Sequence, residues 1–527
     1  MSSQGTFQNI RVYWLAFIVY WGIVLFGYDT GVGGGVRVGI VNEHGDKDTA
    51  KSNAISSNVV SVLQAGAFFG ALGSAPSAIG RRWSLLIWTL VFSVGAILQT
   101  IAGGSRGLGY IYGGRVVAGL GIGAISAVAP AFVSECSPKE VRGRITGLFQ
   151  IMVAIGVMLS YFINLGISLH VKTGFAVWRI PFGFQLVPAG IMAFGLLTVR
   201  ESPRWLASKG RLDEAIANLA YLRRRPTDAP EVRSEMAEIE AAITEEKEAR
   251  EGLGTREAFL GKGNWIRFVI AIVIFLLQQW SGQNSVGYYA PQIFTAIGYT
   301  GTTNSLLASG IYGIVKVVAT ALFVFFLVDS LGRKFSLFIS GMGMGILFFI
   351  VGALLKEFPP PQKPTGNPPP ASKAMAAMLY LYVCFYSMGW GPLPWVYVSD
   401  IFPTRTRHYG LATASASQWL FNFVVAKVTP TLESALGYKL FLMFATINIG
   451  GMAVFSLCAT SSSCSVVVRM LTRVSRLIPE TKGRSLEEMD IIFGAVQADK
   501  RREDIAAQER ALGNDVHDAD AGSDMKV

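Results

Sequence analysis

The stretch QQWSGQNSVGYYAP, residues 278–291, places several polar side chains inside a long apolar run. A Gln-Gln pair is followed by Ser281, Gln283 and Asn284. Because an unpaired amide in an apolar medium costs about 2–7 kcal/mol, such groups persist only where they face a polar cavity or one another. The stretch therefore predicts a polar pathway through a membrane. Amides that only join neighbouring helices are the alternative.

The composition predicts a polytopic membrane protein. Of the 527 residues, 51% are hydrophobic and only 15% are charged, against about 25% charged in soluble proteins. The four cysteines show neither metal-ligand spacing nor a disulfide framework. The net charge of +11 comes from short basic clusters between apolar runs. Such clusters set membrane topology, so we do not expect a nucleic-acid partner.

Apolar runs of about 20 residues, the length that crosses a bilayer, occur as six, an interruption, and six. The first run lacks the pattern of a removed signal peptide, and we expect it to be retained. The expected fold class is an all-α membrane protein with twelve transmembrane helices in two six-helix bundles. The runs lie at 12–32, 58–78, 84–103, 110–132, 145–166, 179–199, 265–290, 305–328, 335–355, 375–398, 409–429 and 438–458.

The interruption, residues 200–262, holds 12 basic and 13 acidic residues. Its pattern predicts short amphipathic helices outside the membrane. Arginine clusters there and beside the spans place this side, and both termini, in the cytosol. The predicted domains are an N-terminal bundle (1–199), a cytosolic helical linker (200–262), a C-terminal bundle (263–458), an insertion (459–477) and a cytosolic tail (478–527).

The two sets of runs share short motifs. GRRWSL at 80–85 recurs as GRKFSL at 332–337, and SECSPKEVR at 134–142 is answered by SDIFPTRTR at 399–407. Such internal similarity is typical of transporters built from repeated bundles. A third pair, RESPRW at 200–205 and PETKGR at 479–484, is more widely spaced. The wider spacing is the reason for the predicted insertion.

Distances along helices place three polar residues near the middle of the membrane. At 1.5 Å per residue, Gln278 and Gln418 each lie about 16 Å from the nearest charge on the linker side, and Lys316 lies about 20 Å from it. Substrate sites of such transporters fall at this depth. A buried ammonium costs at least ~2.5 kcal/mol unless it is paired. A substrate carboxylate or a group within the protein could pair Lys316.

The same arithmetic places Asp29 and Arg115 on a shared level, about 27 and 30 Å from the linker side. Burial favours a protonated carboxyl and a nearby arginine favours the carboxylate. Separating the two residues would therefore let Asp29 take up a proton, which predicts a proton-coupling switch. A static ion pair is the alternative.

Nine motifs in order along the chain resemble the sugar porter family of the major facilitator superfamily. The fungal quinate and sugar permease branch is the most similar, through NVVSVLQAGAFFG at 58–70 and the lysine of GIVK at 313–316. The chain departs from the family pattern at Ser77, Ala78, Arg200 and Ser387. The motifs are FGYDTG at 26–31, GRR at 80–82, GGRVVAGLGIG at 113–123, SPKEVRGR at 137–144, ESPRWL at 201–206, QQWSGQN at 278–284, DSLGRK at 329–334, GPLPW at 391–395 and PETKG at 479–483.

The resemblance implies a substrate site of amides and aromatic rings. Amides both donate and accept, as hydroxyls do, and the rings would stack on the ligand or, alternatively, pack between helices. Lys316, typical of the quinate-type branch, implies an acidic ligand such as quinate or a uronate, with a neutral monosaccharide as the alternative. The implied substrate-binding residues are Phe26, Gln150, Gln278, Gln279, Asn284, Lys316, Trp395, Gln418, Trp419 and Asn422.

The resemblance also implies a role for the acid in FGYDTG and for charges at the cytosolic ends of spans. An acid at Asp29 resembles the proton symporters of the family. The span-end charges would form salt bridges that close an inner gate, and a plain topology charge is the alternative for each. The implied gate residues are Glu135, Arg142, Glu201, Arg204, Asp400, Arg405, Glu480 and Arg484.

The expected function is proton-coupled uptake of a monosaccharide, cyclic polyol or sugar acid by alternating access. We expect an integral membrane protein, monomeric and in the plasma membrane, whose partners are the bilayer and a small polyhydroxylated or carboxylated substrate. No catalytic residue, metal or cofactor other than the coupling proton is expected, and no nucleotide-binding loop of the GxxxxGK[ST] form occurs. A facilitated uniporter and a non-transporting nutrient sensor of the same fold are the alternatives.

Overall fold

All regular secondary structure in the described part of the chain is helical. The computed structural model describes residues 9–44, 49–74, 79–103, 107–171, 174–250, 259, 261, 264–327, 333–360, 368–402 and 406–457. The predicted insertion and tail lie outside the described residues. We refer to residues 9–199 as the N-terminal half and to residues 264–457 as the C-terminal half.

The helices are numbered in chain order, and two of them continue into π-helical turns, at Phe323–Leu327 and Ile447–Ala453. They are α1 (Ile10–His44), α2 (Thr49–Gly73), α3 (Arg81–Ile101), α4 (Gly107–Cys136), α5 (Lys139–His170), α6 (Ala176–Phe184), α7 (Leu186–Thr198), α8 (Pro203–Ser208), α9 (Leu212–Arg223), α10 (Pro230–Arg250), α11 (Asn264–Gln279), α12 (Gln283–Tyr288), α13 (Ala290–Ala296), α14 (Thr302–Leu322), α15 (Arg333–Glu357), α16 (Pro370–Met388), α17 (Leu393–Ile401), α18 (Arg407–Leu436), α19 (Lys439–Thr446) and α20 (Val454–Leu457).

Within the described residues, 10 helical stretches are long and apolar enough to cross a membrane. The remaining two predicted spans fall on other elements. Asn264–Gln279 is apolar but shorter, and α18 is long but carries Lys427 and Glu433. Length and composition therefore support a many-span membrane protein, and the count of twelve stays a prediction.

Glycines let the helices of the N-terminal half approach closely. A Cβ at Gly70 of α2 would lie 2.1 Å from the backbone oxygen of Leu120 in α4, and a Cβ at Gly123 of α4 would lie 2.0 Å from the oxygen of Ala67. Where α1 crosses α5, a Cβ at Gly27 would meet a backbone oxygen at 2.0 Å. Helices in lipid associate largely through such close backbone contacts. The glycines of these apolar runs are therefore packing residues.

The C-terminal half contains broken helices. The run predicted as one span at 265–290 is divided into α11, α12 and α13, so its helix is interrupted within the predicted span. Gly282 adopts φ +94° at the first break, a conformation that glycine alone reaches without strain. The predicted span at 375–398 is likewise divided between α16 and α17, at the sequence GWGP, where proline ends regular helix bonding.

Helix α2 starts at Thr49, nine positions before the apolar run predicted at 58–78. Its first turns are polar and helical, and their serine hydroxyls bond to carbonyl groups of the same helix. Ser56 Oγ donates to the Ser52 carbonyl at 2.8 Å, and Ser57 Oγ donates to the Ala54 carbonyl at 3.0 Å. The apolar run alone therefore underestimated the length of this helix.

Helices α8, α9 and α10 form a small layer at one end of the molecule, which we call the linker face. Their apolar side chains, including Leu206, Leu219 and Met236, pack into one cluster. Arg11 at the start of α1 donates to the Tyr221 carbonyl at 2.6 Å. Arg223 of α9 donates to the last residue of α4 at 3.0 Å. These bonds hold the layer against the N-terminal half.

Bonds between the two halves lie at mid-depth and toward the opposite end, which we call the far face. Asn53 in the first turns of α2 donates to Ser434 near the end of α18 at 3.3 Å. Deeper on the same helices, Lys427 Nζ donates to Asn58 Oδ1. From α5, the Tyr161 hydroxyl donates to a backbone carbonyl of α12 at 2.5 Å. These hydrogen bonds join the two halves on the far-face side.

Gly70→Ala is expected to lower the free energy of unfolding by about 1–3 kcal/mol, because the added methyl group meets rigid backbone of α4. Thermal unfolding of the purified protein in detergent measures this change. Gly73→Ala in the same helix is the matched control, since a Cβ there meets nothing within 4 Å. Equal melting temperatures for the two variants would contradict close packing of α2 on α4.

Candidate functional site

The break after α11 brings four amide side chains into one hydrogen-bond network with α18. Gln279 donates to Gln278 Oε1 at 3.3 Å. Asn284 donates to Gln279 Oε1 and, at 3.2 Å, to Asn422 Oδ1. Asn422 donates in turn to the Tyr288 hydroxyl at 2.9 Å. The structure thus brings together four of the predicted amides, and Tyr288, which was not predicted, completes the network.

Gln278 also connects the two helix breaks of the C-terminal half. Its Nε2 donates to the Trp390 carbonyl at 2.7 Å and to the Gly391 carbonyl at 3.2 Å. These carbonyls lie between α16 and α17, where no helical N–H is available to them. The amide therefore satisfies the broken backbone at mid-depth, and it is itself only 5% exposed.

The predicted aromatic residues lie beside this network. Trp419 is buried and packs edge-on against Phe26 from the other half, with ring centroids 5.2 Å apart. Trp395 packs against Phe275 at 4.8 Å, one helical turn before Gln279. Both tryptophans therefore have a packing role, and the predicted stacking on a ligand stays a prediction.

Two predicted amides are half-buried and make no hydrogen bond within the described part of the chain. Gln418 lies four residues before Asn422, so the two share one face of α18. Gln150 lies one turn before Val153, whose backbone contacts Gly27. Their positions are compatible with the predicted site.

Asp29 and Arg115 form a buried ion pair. Arg115 Nη1 donates to Asp29 Oδ1 at 2.5 Å, and the side chains are 0% and 2% exposed for Arg115 and Asp29, respectively. Arg115 Nε also donates to the Val59 carbonyl at 2.7 Å. Gln185 Nε2 donates to the same carboxylate oxygen at 3.1 Å. The structure brings the predicted pair into contact, and its role in proton coupling stays a prediction.

Gln185 was missed by the sequence reasoning. It lies between α6 and α7 and is 1% exposed. Its signal was available, because it is a polar residue inside the apolar run PFGFQLVPAG, as Gln278 is in its own run. Gln64, which lies beside the Tyr288 hydroxyl from α2, was missed in the same way.

Lys316 of α14 is 6% exposed. No residue in the described part of the chain forms a hydrogen bond or ion pair with it, and no described carboxylate compensates its charge. The prediction that a protein group could pair this ammonium therefore finds no support among the described residues.

Charged residues at the linker face form a compact cluster. Arg81 donates to Glu135 at 3.0 Å, and Ser202 Oγ donates to the other oxygen of Glu135 at 2.6 Å. The Glu201 carboxylate accepts backbone N–H groups of Arg81 at 2.8 Å and of Arg82 at 3.1 Å. These bonds fix the first turn of α3 to the segment before α8.

Burial raises the pKa of the Glu201 carboxyl above its usual value, and the neighbouring Glu135 adds to that effect. The backbone donors of Ser202, Arg82 and Arg81 oppose it.

The predicted inner gate is described only in part. The bonds of Glu135 and Glu201 given above lie within the N-terminal half and the start of the linker, and Arg204 is half-buried in the first turn of α8. Arg405, Glu480 and Arg484 lie outside the described residues, as do the side chains of Arg142 and Asp400. Salt bridges between the halves therefore stay a prediction. Arg81 and Arg82 were missed as members of the cluster, although their motif GRR was noted.

The sequence matches the model of the family Sugar (and other) transporter over residues 15–493. The chain belongs to this family. It is 36% identical over 493 residues to the "Quinate permease" of Emericella nidulans. The matched region covers 92% of this chain and 89% of the relative. It is 37% identical over 495 residues to the "Probable quinate permease" of Aspergillus niger, covering 92% and 88%.

Solved structures with a similar fold include the proton:xylose symporter XylE of the major facilitator superfamily, bound to 6-bromo-6-deoxy-D-glucose. The TM-score is 0.73 at 25% identity, covering 92% of this chain and 100% of that one. An inward open form of XylE from E. coli matches with a TM-score of 0.71 at 24% identity, covering 91% and 99%. The protein is therefore an integral membrane protein with the helical fold of this superfamily, and its curated relatives are permeases.

Arg115→Met is expected to lower the free energy of unfolding by about 3–5 kcal/mol, because it leaves the Asp29 carboxylate buried without its counter-charge. Asp29→Asn combined with Arg115→Met is expected to recover part of that loss, since partners in one ion pair are not additive. Thermal unfolding of the single and double variants in detergent measures the coupling. Strictly additive effects would contradict a stabilising pair.

Proposed function

We propose that the protein is a secondary transporter that moves a monosaccharide, cyclic polyol or sugar acid by proton-coupled alternating access. The observation that carries the proposal is the buried amide network of Gln279, Asn284 and Asn422 in a chain of the sugar transporter family. Because amides and hydroxyls both donate and accept, a polyhydroxylated ligand can replace amide–amide bonds with amide–hydroxyl bonds at little net cost. The names of the relatives, quinate permease and proton:xylose symporter, support this substrate class.

The proposed architecture has twelve spans in two six-helix bundles. The elements α11–α13 and α18 supply the two spans that length and composition alone do not identify. The bundles are 1–199 and 263–458, joined by a helical linker at 200–262. The tail follows a predicted insertion at 459–477.

The proposed orientation places the linker face in the cytosol. The arginines of α9 and of the first turn of α3 lie at that face, as the positive-inside rule expects of a cytosolic side. Both termini are then cytosolic, and uptake across the plasma membrane is the proposed direction. We propose a monomer, since each half of the site is supplied by the same chain.

Proton coupling is assigned to Asp29. Its carboxylate is held by Arg115 and Gln185, and Oδ2 has no partner among the described residues. A change in conformation that draws Arg115 away leaves a buried carboxylate without counter-charge, which favours uptake of a proton. Substrate binding that favours the other conformation then links proton movement to transport.

Asp29→Asn is expected to abolish accumulation of substrate against its gradient while sparing exchange of labelled for unlabelled substrate. An uncharged amide at this position cannot release and bind the coupling proton. Uptake into proteoliposomes with and without an imposed pH gradient measures both activities. Concentrative uptake that persists in the variant would contradict coupling through Asp29.

The absence of pH-driven accumulation in the wild type would identify a facilitator instead, and ligand binding without flux would identify a sensor.

Lys316→Asn is expected to lower the apparent affinity for quinate by about tenfold or more, because a charge-assisted bond to the carboxylate is lost. The apparent affinity for a neutral sugar such as xylose should change by less than about twofold, since that ligand does not need the ammonium. Competition of both compounds against one labelled substrate measures the two affinities. Unchanged quinate affinity would dismiss a carboxylate partner for Lys316.

A further inference from the structure

One face of α14 carries three polar side chains at four-residue intervals: Tyr312, Lys316 and Thr320. The Tyr312 hydroxyl donates to Gln283 Oε1 of α12 at 3.0 Å. The Thr320 hydroxyl donates to Ser387 Oγ of α16 at 3.2 Å. Lys316 therefore lies on α14 between Tyr312, which bonds to α12, and Thr320, which bonds to α16.

Gln283 presents an unused donor next to this strip. The side chain is 2% exposed, and its oxygen is occupied by the Tyr312 hydroxyl. Its buried Nε2 has no hydrogen-bond partner among the described residues. Leaving such a group unpaired costs about 1–3 kcal/mol. The Gln283 amide is held in place through its oxygen, while its buried nitrogen has no acceptor among the described residues. This arrangement points to a ligand.

Tyr386 of α16 adds a second free group. Its ring lies beside Gly391, whose carbonyl accepts from Gln278 of the amide network, and the next residue in the chain, Ser387, accepts from Thr320 of α14. The Tyr386 hydroxyl makes no hydrogen bond within the described part of the chain, and the residue is 8% exposed. Tyr386 therefore lies between the polar strip of α14 and the amide network.

We infer that Lys316, Gln283 and Tyr386 form a subsite for the carboxylate of the substrate, an inference that rests on the proposed function. Lys316 Nζ and Gln283 Nε2 can only donate, and the Tyr386 hydroxyl is free to donate. A carboxylate can only accept and offers about four lone-pair positions. A neutral hydroxyl in the same place would leave the ammonium without a counter-charge.

The subsite fixes the orientation of the ligand. The carboxylate lies toward α14 and α16, and the ring hydroxyls lie toward the amides of Gln279, Asn284 and Asn422. Those amides have both donors and acceptors to offer, which suits hydroxyls and not a charge. Gln283 and Tyr386 are therefore specificity-determining residues for acidic over neutral ligands, in addition to Lys316.

The test compares quinate with its carboxamide, two ligands that differ at one group only: an uncharged amide, which has two N–H donors, replaces the carboxylate, which only accepts. The full chain in proteoliposomes is assayed by competition of each compound against labelled quinate, in the wild type and in Tyr386→Phe and Gln283→Glu. Tyr386→Phe removes one hydroxyl without changing shape. Gln283→Glu keeps the size of the side chain and replaces its free donor with an acceptor. Tyr380→Phe is the matched control, because that hydroxyl, on the same helix, donates to the Ala308 carbonyl at 3.2 Å.

We expect the wild type to prefer quinate over the carboxamide. Tyr386→Phe should lower that preference by about tenfold, and Gln283→Glu should lower it by about 100-fold, since each removes a bond to the charged group and the second adds repulsion. Tyr380→Phe should leave the preference unchanged. The readout is the ratio of the affinity for quinate to the affinity for the carboxamide, because a merely structural defect would lower both affinities by the same factor.

Two results would overturn the inference while leaving the proposed function in place. One is an equal loss of affinity for both compounds in Tyr386→Phe and Gln283→Glu. The other is a change of the ratio in Tyr380→Phe as large as that in Tyr386→Phe. Failure of the proposed function is distinguishable, because the wild type would then transport neither quinate nor its carboxamide nor xylose.

Discussion

The structure depends on the requirement that polar groups inside hydrocarbon satisfy one another. The breaks in the C-terminal half would otherwise expose backbone carbonyls. Gln278 donates to the carbonyls of the α16–α17 break. The Ser281 carbonyl at the α11–α12 break accepts from the Tyr382 hydroxyl and from Asn448, both at 3.1 Å. The side chains that stabilise the irregular backbone are thus neighbours of those proposed to bind the ligand, so binding and backbone geometry are linked.

The two halves meet this requirement differently. In the N-terminal half, glycines at positions such as 70 and 123 bring backbones into direct contact, and close-packed interiors have few alternative arrangements. In the C-terminal half, the backbone changes direction at Gly282 and between α16 and α17. Element ends of this kind absorb changes of φ and ψ in conformational transitions. Local rearrangement during transport is therefore expected at the breaks of the C-terminal half.

The sequence allowed the membrane class, most helices and the residues of the amide network to be predicted, because apolar run length and misplaced amides are local signals. Distance along a helix sufficed to pair Asp29 with Arg115, since both lie in regular helices of opposite direction. The break at Gly282 was not predicted, because glycine is also abundant at the packed positions of unbroken helices such as α4. Gln283 lay within the opening stretch and was still omitted from the site. Its importance depends on contact with Tyr312 of another helix, which no local pattern reveals.

Asp29 and Lys316 illustrate how a buried charge is interpreted. Asp29 has an arginine and an amide as partners, so its charge is compensated in this conformation and can be altered by moving one helix. Lys316 has no counter-charge among the described residues, and Gln283, which we propose to share its subsite, contributes an unused donor instead of an acceptor. A cluster of donors around an ammonium does not stabilise that ammonium. It becomes favourable only when an anion binds, and that requirement separates the charge that we propose to bind the ligand from the charge that we propose to couple protons.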